Sequence, residues 1–300
     1  MSARVLVTGA AGHLGSHVIP LLAGDGLEIV GLDVAQPTVA TDRYVQADLC
    51  DREALKDACE GVDLIVHAAS IHPWKPYTDE EYFDRNVKGT WQLYSVAAEL
   101  GIDRVVLTSS IASVGYGPVR PDGSPDAGMW PLGEEFIGVP LDLYCLTKQS
   151  QEMTARLFAR NGSVRTIALR PPAFMPKPEV EQGLGLLGVW AYVEDMASAH
   201  LAAVRSVLGT RKLPRELDPF EAFFITNTVP YESADGELLD GATVSRQLVE
   251  KYWPEAADWF AEHGAGAVWL PGVFDSTKAR DVLGWEPEWD FARWFREHVA

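Results

Sequence analysis

The stretch Thr8-Gly9-Ala10-Ala11-Gly12-His13-Leu14-Gly15 stands directly behind a short apolar run, Val5-Leu6-Val7, and opens a segment with helical spacing over residues 13–24. Few folds accept that order. Glycine lets the backbone turn tightly and lets a bound group approach the main chain. A helix beginning there presents unpaired N–H groups and the positive end of its dipole to an anion. Asp33 closes the second apolar run, Glu28–Leu32, 21 residues after Gly12, where a dinucleotide-binding βαβ unit carries the acid that meets a ribose. Gly9, Gly12, His13, Leu14 and Gly15 are therefore the expected phosphate cradle. Asp33 accepts from both ribose hydroxyls, and its charge opposes a 2′-phosphate. Val34-Ala35-Gln36 offers no arginine to receive one, so NAD is expected and NADP disfavoured.

The rest of the first two-thirds alternates in the same way. Tyr44–Gln46, Asp63–His67, Arg104–Leu107 and Val164–Leu169 read as short, nearly continuous apolar strands, the pattern of a sheet buried on both faces. Helical stretches lie between them, roughly Arg52–Glu60, Asp79–Leu100 and Asp142–Asn161. This predicts an α/β fold: a Rossmann-type doubly wound parallel sheet with a small C-terminal substrate-binding lobe. The expected division is 1–170 for the NAD-binding domain and 171–300 mainly for the lobe, the chain returning to the core around 190–230. Pro171, Pro172, Pro176 and Pro178 break the rhythm. Helices are expected again at Val193–Leu208, Thr243–Lys251, Asp275–Leu283 and Phe291–Val299, with a strand at Phe223–Asn227. The proline-rich stretch Pro118–Pro140 is expected to cover the pocket.

Charge narrows the function classes. Lys and Arg total 25 against 43 Asp and Glu, a net charge of −18, which argues against a phosphate backbone or an anionic membrane as partner. The longest apolar stretches, such as Gly183–Val193, fall short of the ~18–20 residues a membrane span needs. Residues 1–4 run straight into the first strand, so no signal peptide is expected. Three cysteines without a CxxC pair suit a reducing cytoplasm. No metal site is expected, and the partner is a small molecule.

Tyr144 and Lys148 stand four apart on a predicted helix and so share one face. A free phenol titrates near ~10, too high for a base at neutral pH. A neighbouring ammonium, together with a positive nicotinamide ring, is expected to lower that value and permit proton exchange. Ser109-Ser110 closes the fifth strand, at the sheet edge where ligands of such folds bind. Ser110 is the expected partner of the substrate oxygen.

With these residues in place the chain resembles the extended short-chain dehydrogenase/reductases, also described as NAD-dependent epimerases/dehydratases, from about Val5 to Pro287. Besides the glycine turn, Asp33 and the Tyr144–Lys148 pair, the resemblance rests on Asp48-Leu49, His67-Ala68-Ala69, Asn86-Val87-Lys88-Gly89-Thr90, Arg170-Pro171, Tyr192–Asp195 and Leu283–Pro287. It implies cofactor contacts at Asp48, Leu49, His67, Ala68, Ala69, Lys148 and Pro171. It also implies that Asn86 helps hold Lys148 through water, and that helices near 79–100 and 142–161 pair two copies into a homodimer.

Two departures narrow the substrate. Ser110–Gly117 is longer than the common Ser-x-x-Val-Tyr-Gly and looks more like uronate dehydrogenases, as does His67–Tyr77. Phe174 to Trp190 is short, with Lys177 its sole cation, too little to hold a nucleotide diphosphate. Ile111 stands where the uronate group has asparagine, and no arginine awaits a carboxylate, so a less charged ligand is expected. Ser70, His72, Trp74, Ser110, Ile111, Phe174 and Trp190 are the candidate substrate contacts. The expected activity is NAD-dependent interconversion of a secondary alcohol and a ketone or lactone. A sugar epimerase with retained NAD and a non-catalytic cofactor-sensing regulator are the alternatives.

Overall fold

Val5, Leu6, Val7 and Thr8 are wholly inaccessible to solvent. A strand covered on both faces belongs to a parallel sheet held between layers of helices. The computed structural model shows that arrangement and describes residues 2–73 and 75–299. The strands are β1 (Arg4–Thr8), β2 (Glu28–Asp33), β3 (Arg43–Gln46), β4 (Leu64–His67), β5 (Arg104–Thr108), β6 (Arg165–Arg170) and β7 (Phe220–Phe224). They form one sheet in the order β3-β2-β1-β4-β5-β6-β7, every pair parallel.

The helices are α1 (His13–Gly24), α2 (Arg52–Cys59), α3 (Asp79–Tyr82), α4 (Gly89–Leu100), α5 (Leu143–Arg160), α6 (Glu179–Gly185), α7 (Val193–Val207), α8 (Arg246–Tyr252), α9 (Ala257–His263) and α10 (Phe291–His298). Val18, Ile19 and Leu22 of α1 join Met196, Ala203 and Val204 of α7 against one face of the sheet. Leu55 of α2, Leu93 and Tyr94 of α4 and Ala155 of α5 cover the other. Because β1 pairs with β2 on one side and β4 on the other, the connections diverge there. The strand ends between them open a crevice.

A third apolar cluster forms the lobe, built on Leu184, Leu187, Tyr231, Leu248, Phe260, Leu270, Phe291 and Trp294. It also takes Ile111, Val114, Ala127, Trp130 and Leu132 from the earlier half of the chain. The stretch 118–140 is therefore anchored to the lobe through Ala127, Trp130 and Leu132 and does not cover the pocket. Leu132 is tied to Val273 and Asp275 by backbone bonds of 2.7 and 2.9 Å, and among the described residues none of 118–140 lines the cleft.

Other details differ from the sequence reading. The expected helix 79–100 is α3 and α4 joined through a π-helical stretch, Phe83–Lys88. α6 begins immediately after Pro178, its N-cap, since proline disrupts a helix interior but not its first turn. The last strand lies three residues earlier than expected, and the helix expected over 275–283 ends in a π-helical turn, Ala279–Leu283. Among the described residues no helix is long and apolar enough to cross a membrane.

Candidate active site

The glycine turn is packed too tightly for any other residue at its key positions. Gly9 has φ of 75°, and a Cβ on it would lie 2.8 Å from the Ala69 nitrogen. A Cβ on Gly15 would lie 2.2 Å from the Gly9 carbonyl oxygen. Gly12 is the N-cap of α1 and brings no side chain to cap it, so the first amides of the helix face the cleft as an anion site. Asp33 accepts from the Ala11 and Ala35 amides at 3.0 and 3.1 Å. Each of its oxygens keeps a further lone pair for a ribose hydroxyl. His13, Leu14, Asp48, Leu49, Ala68, Ala69 and Pro171 line the same cleft of about 1200 Å³. A backbone cradle, a helix N-terminus and a strand-end carboxylate in one groove fit a dinucleotide.

His67 does not join them. It is buried between the Thr8 hydroxyl at 2.8 Å and the Thr90 hydroxyl at 2.9 Å and does not line the cleft. Burial pushes its imidazole down to about 3, so it stays neutral and ties β4 to β1 and α4.

The Asp142 carboxylate accepts from the Cys145 amide at 2.7 Å and so starts α5. Tyr144 lies in its first turn and Lys148 one turn further on. Lys148 is 2% exposed. Its ammonium donates to the Thr108 carbonyl at 3.0 Å, where β5 ends, and sits 5.7 Å from the centre of the Tyr144 ring. Burial pushes Lys148 down to about 7, opposed by Glu152 one turn beyond.

Tyr144 departs from expectation. Burial raises its phenol above the ordinary value, and the hydrogen bond from Ser110 opposes this only in part. The protein's own groups do not supply the lowering expected from the Tyr–Lys spacing, because desolvation outweighs them.

The adjacent serines divide their work. Ser109 donates to Glu152 Oε1 at 2.6 Å, and Glu152 is gripped by Arg170 through Nε at 2.9 Å and Nη2 at 2.8 Å. That buried network lies under the site. Ser110 accepts from the Ala112 amide at 3.1 Å and lines the cleft beside Tyr144.

Asn86 has a bracing part. Its amide donates to the Ile71 carbonyl at 2.8 Å and to the Thr147 hydroxyl at 3.2 Å. Its oxygen accepts from the Ile71 amide at 2.8 Å and from Ser70 at 3.1 Å. All four hydrogen-bonding places of its side chain are used.

Ser70, His72, Ile111, Phe174 and Trp190 all line the far end of the cleft. His72 Nδ1 is buried without a hydrogen-bond partner. Trp190 donates to the Met175 carbonyl at 3.1 Å, and Lys177 lies 3.6 Å over its ring. Trp74 lies outside the described residues. Sequence reasoning missed Tyr116, His263, Val268 and Trp269, which complete this wall. Their only signal was an aromatic in each of two glycine-rich turns.

Comparison with known proteins bears on the whole arrangement. The model of the family described as "NAD dependent epimerase/dehydratase family" matches residues 5–177. Uronate dehydrogenase of Agrobacterium fabrum (strain C58) is 32% identical over 209 residues, covering 69% of this chain and 74% of that protein. Cinnamoyl-CoA reductase 1 of Arabidopsis thaliana is 31% identical over 271 residues, covering 84% and 75%. A solved short-chain dehydrogenase/reductase superfamily protein from Agrobacterium tumefaciens, with bound NAD, is similar at TM-score 0.70 and 21% identity, over 98% of this chain and 95% of that one. Several other curated relatives, among them a sterol demethylase protein B of Methylococcus capsulatus, match over only 118 residues, and of those proteins the chain spans 34–36% of the length.

Proposed function

This chain belongs to the NAD dependent epimerase/dehydratase family, and we propose that within it the protein is an NAD-dependent oxidoreductase. It interconverts a secondary alcohol and a ketone or lactone on a small sugar-like or apolar substrate. The observation that carries this reading is the meeting of Tyr144, Ser110 and Lys148 in the same groove as the glycine turn. When bound, NAD supplies the hydride carrier.

The chain's own residues do the rest. The amides of the Gly9–Gly15 turn hold the diphosphate, Asp33 holds the adenosine ribose, and Leu49, Ala68, Ala69 and Pro171 wall the groove. Ser110 donates to the substrate oxygen and fixes it beside the phenol. Tyr144 exchanges the hydroxyl proton, giving it up when a ketone is reduced and taking it when an alcohol is oxidised. Lys148, 5.7 Å from the centre of the phenol ring on the same helix face, would orient the nicotinamide ribose. The short 174–190 segment, its one cation laid over Trp190, offers little to a nucleotide diphosphate and sets the epimerase reading second.

The test is the growth of NADH absorbance when the protein and NAD meet panels of sugars, hydroxysteroids and aryl alcohols. Net NADH with one panel supports the reading. Isomerised product with retained NAD and no net NADH overturns it in favour of epimerisation.

The homodimer belongs to the same proposal. Trp91, Met153 and Leu157 are exposed on α4 and α5, and a monomeric mass in solution would remove it.

A further inference from the structure

Gly115-Tyr116-Gly117 ends the turn Ser110–Gly117, which is longer than the common pattern. All three residues are left-handed, with φ of 68°, 62° and 116°. Glycine adopts such angles freely, whereas a bulky side chain there is strained. Tyr116 is the one non-glycine residue with positive φ among those described. Strain of this kind persists only where the surroundings over-determine it, and it gathers at ligand clamps.

The surroundings here are two loops pressing from either side. A Cβ on Gly115 would lie 2.2 Å from the Val139 carbonyl oxygen, and one on Gly117 would lie 3.0 Å from that of Pro271. A Cβ on Gly272 would lie 2.9 Å from the Tyr116 carbonyl oxygen. The Tyr116 amide donates to Ile111 at 3.3 Å.

The outcome is an aromatic ring set in the cleft wall. It meets Trp269 edge to face, with centroids 5.3 Å apart and planes at 69°. Trp269 lines the same cleft and is 45% exposed, unusual for so large an apolar surface. Ile111 and Val268 continue the wall. Such a surface gains most from a flat ring face, whereas each hydroxyl of a sugar laid on it would lose water without gaining a donor.

We infer that Tyr116 and Trp269 form a specificity-determining pair that receives the flat, largely apolar ring of a substrate bearing the secondary alcohol or ketone. The inference rests on the oxidoreductase reading for what happens to that oxygen, but not for the binding of the ring.

The test compares 1-indanol, which is flat, with cyclohexanol, which is puckered, and with a hexuronic acid. The wild-type protein should favour 1-indanol over cyclohexanol in kcat/KM by about tenfold or more. Trp269→Ala should raise KM for 1-indanol about tenfold while kcat holds. Tyr116→Gly should do the same with no fall in Tm, because glycine accepts the backbone angle; this separates lost recognition from lost fold. A preference for cyclohexanol or the hexuronic acid, or equal KM shifts for flat and puckered alcohols, overturns the pair. Calorimetry with 1-indanone and the NAD-loaded protein separates the two proposals. Binding that weakens about tenfold in Trp269→Ala, without any NADH formed from the alcohols, sustains the clamp and removes the oxidoreductase reading. Absence of indanone binding to the wild type removes the clamp, whatever the turnover.

Discussion

The two ends of the cleft are built from different materials. At the cofactor end the surfaces are backbone: the amides of the glycine turn, the Ala68-Ala69 segment and the first turn of α1, packed so closely that a methyl group has no room. At the substrate end they are side chains from separated loops: Tyr116, Phe174, Trp190 and Trp269, none of them neighbours in the chain. Backbone surfaces are brittle, because a single added atom must displace a strand end. Side-chain surfaces are replaceable, because truncation opens space and leaves the fold in place. A family can therefore keep one end and rebuild the other. Tyr144, Ser110 and Lys148 lie where the two meet.

The largest effect is expected at that junction. Tyr144→Phe should lower kcat by ~10²–10⁴, the usual weight of a general acid–base, while NAD binding, measured by calorimetry, is unchanged. A fall in both would place Tyr144 in the brittle half. Next comes Gly15→Ala, whose methyl group meets the Gly9 and Ala10 carbonyl oxygens at 2.2 and 2.9 Å. NAD affinity should drop by about a hundredfold and stability by ~1–3 kcal/mol. If the loss is as mild as that of Trp269→Ala for its substrate, the contrast between the two ends is broken.

Lys148 shows what the junction costs the fold. Its ammonium titrates at about 7 against an ordinary 10.5. Below about 7 it is charged whether folded or unfolded, and the full penalty of burying that charge weighs on the native state. Between about 7 and 10.5 the unfolded chain binds a proton the folded chain has shed, so stability rises with pH there. Lys148→Met should flatten that rise, by about 2 kcal/mol at ~1.4 kcal/mol per unit, in urea midpoints taken at about pH 7.5 and about pH 9. Equal slopes in both proteins would show that the lysine is not desolvated.

Much of the cofactor end was legible because a βα turn is local. Gly9, Asp33, Ala68, Ser110 and Pro171 each follow the end of a strand or close it, so finding the strand finds the residue. Spacing does not reveal whether a polar atom is already consumed. His67 and Asn86 stand at motif positions, yet both spend their hydrogen bonds on threonines and backbone. Nor does spacing reveal burial, which is why the Tyr144 phenol lies above its ordinary value instead of below it. β7 was misplaced because Glu221 reads as a polar stop, though it is buried and paired with Arg215 and Lys278. Tyr116 and Trp269 have no periodicity to betray them, since they meet only when loops 153 residues apart fold together.

A smaller effect sharpens the cofactor half. Asp33→Asn keeps an oxygen to accept from the ribose and removes the charge that opposes a 2′-phosphate. The preference for NAD over NADP should narrow about tenfold, within the worth of a hydrogen bond to a charged group, read from KM for each dinucleotide. An unaltered preference would mean that the cradle's shape, not this carboxylate, excludes the phosphate.

The smallest effect on turnover is expected from Ser109→Ala, and its smallness is the point. Ser109 and Ser110 are identical in type and adjacent, and sequence alone cannot rank them. Both residues line the cleft, but the Ser109 hydroxyl is spent on Glu152, whereas the Ser110 oxygen accepts from the Ala112 amide and keeps its own proton to donate. Removing the Ser109 hydroxyl leaves Glu152 with both Arg170 bonds, so the loss is one buried hydrogen bond, ~1–2 kcal/mol of stability, with kcat within about twofold. Ser110→Ala should do the reverse, lowering kcat by about tenfold or more while Tm holds. Thermal melts and initial rates on the pair read both axes at once. Were the two variants to exchange places, the substrate oxygen would lie on the sheet side of the strand end, and the junction would have to be rebuilt around Glu152.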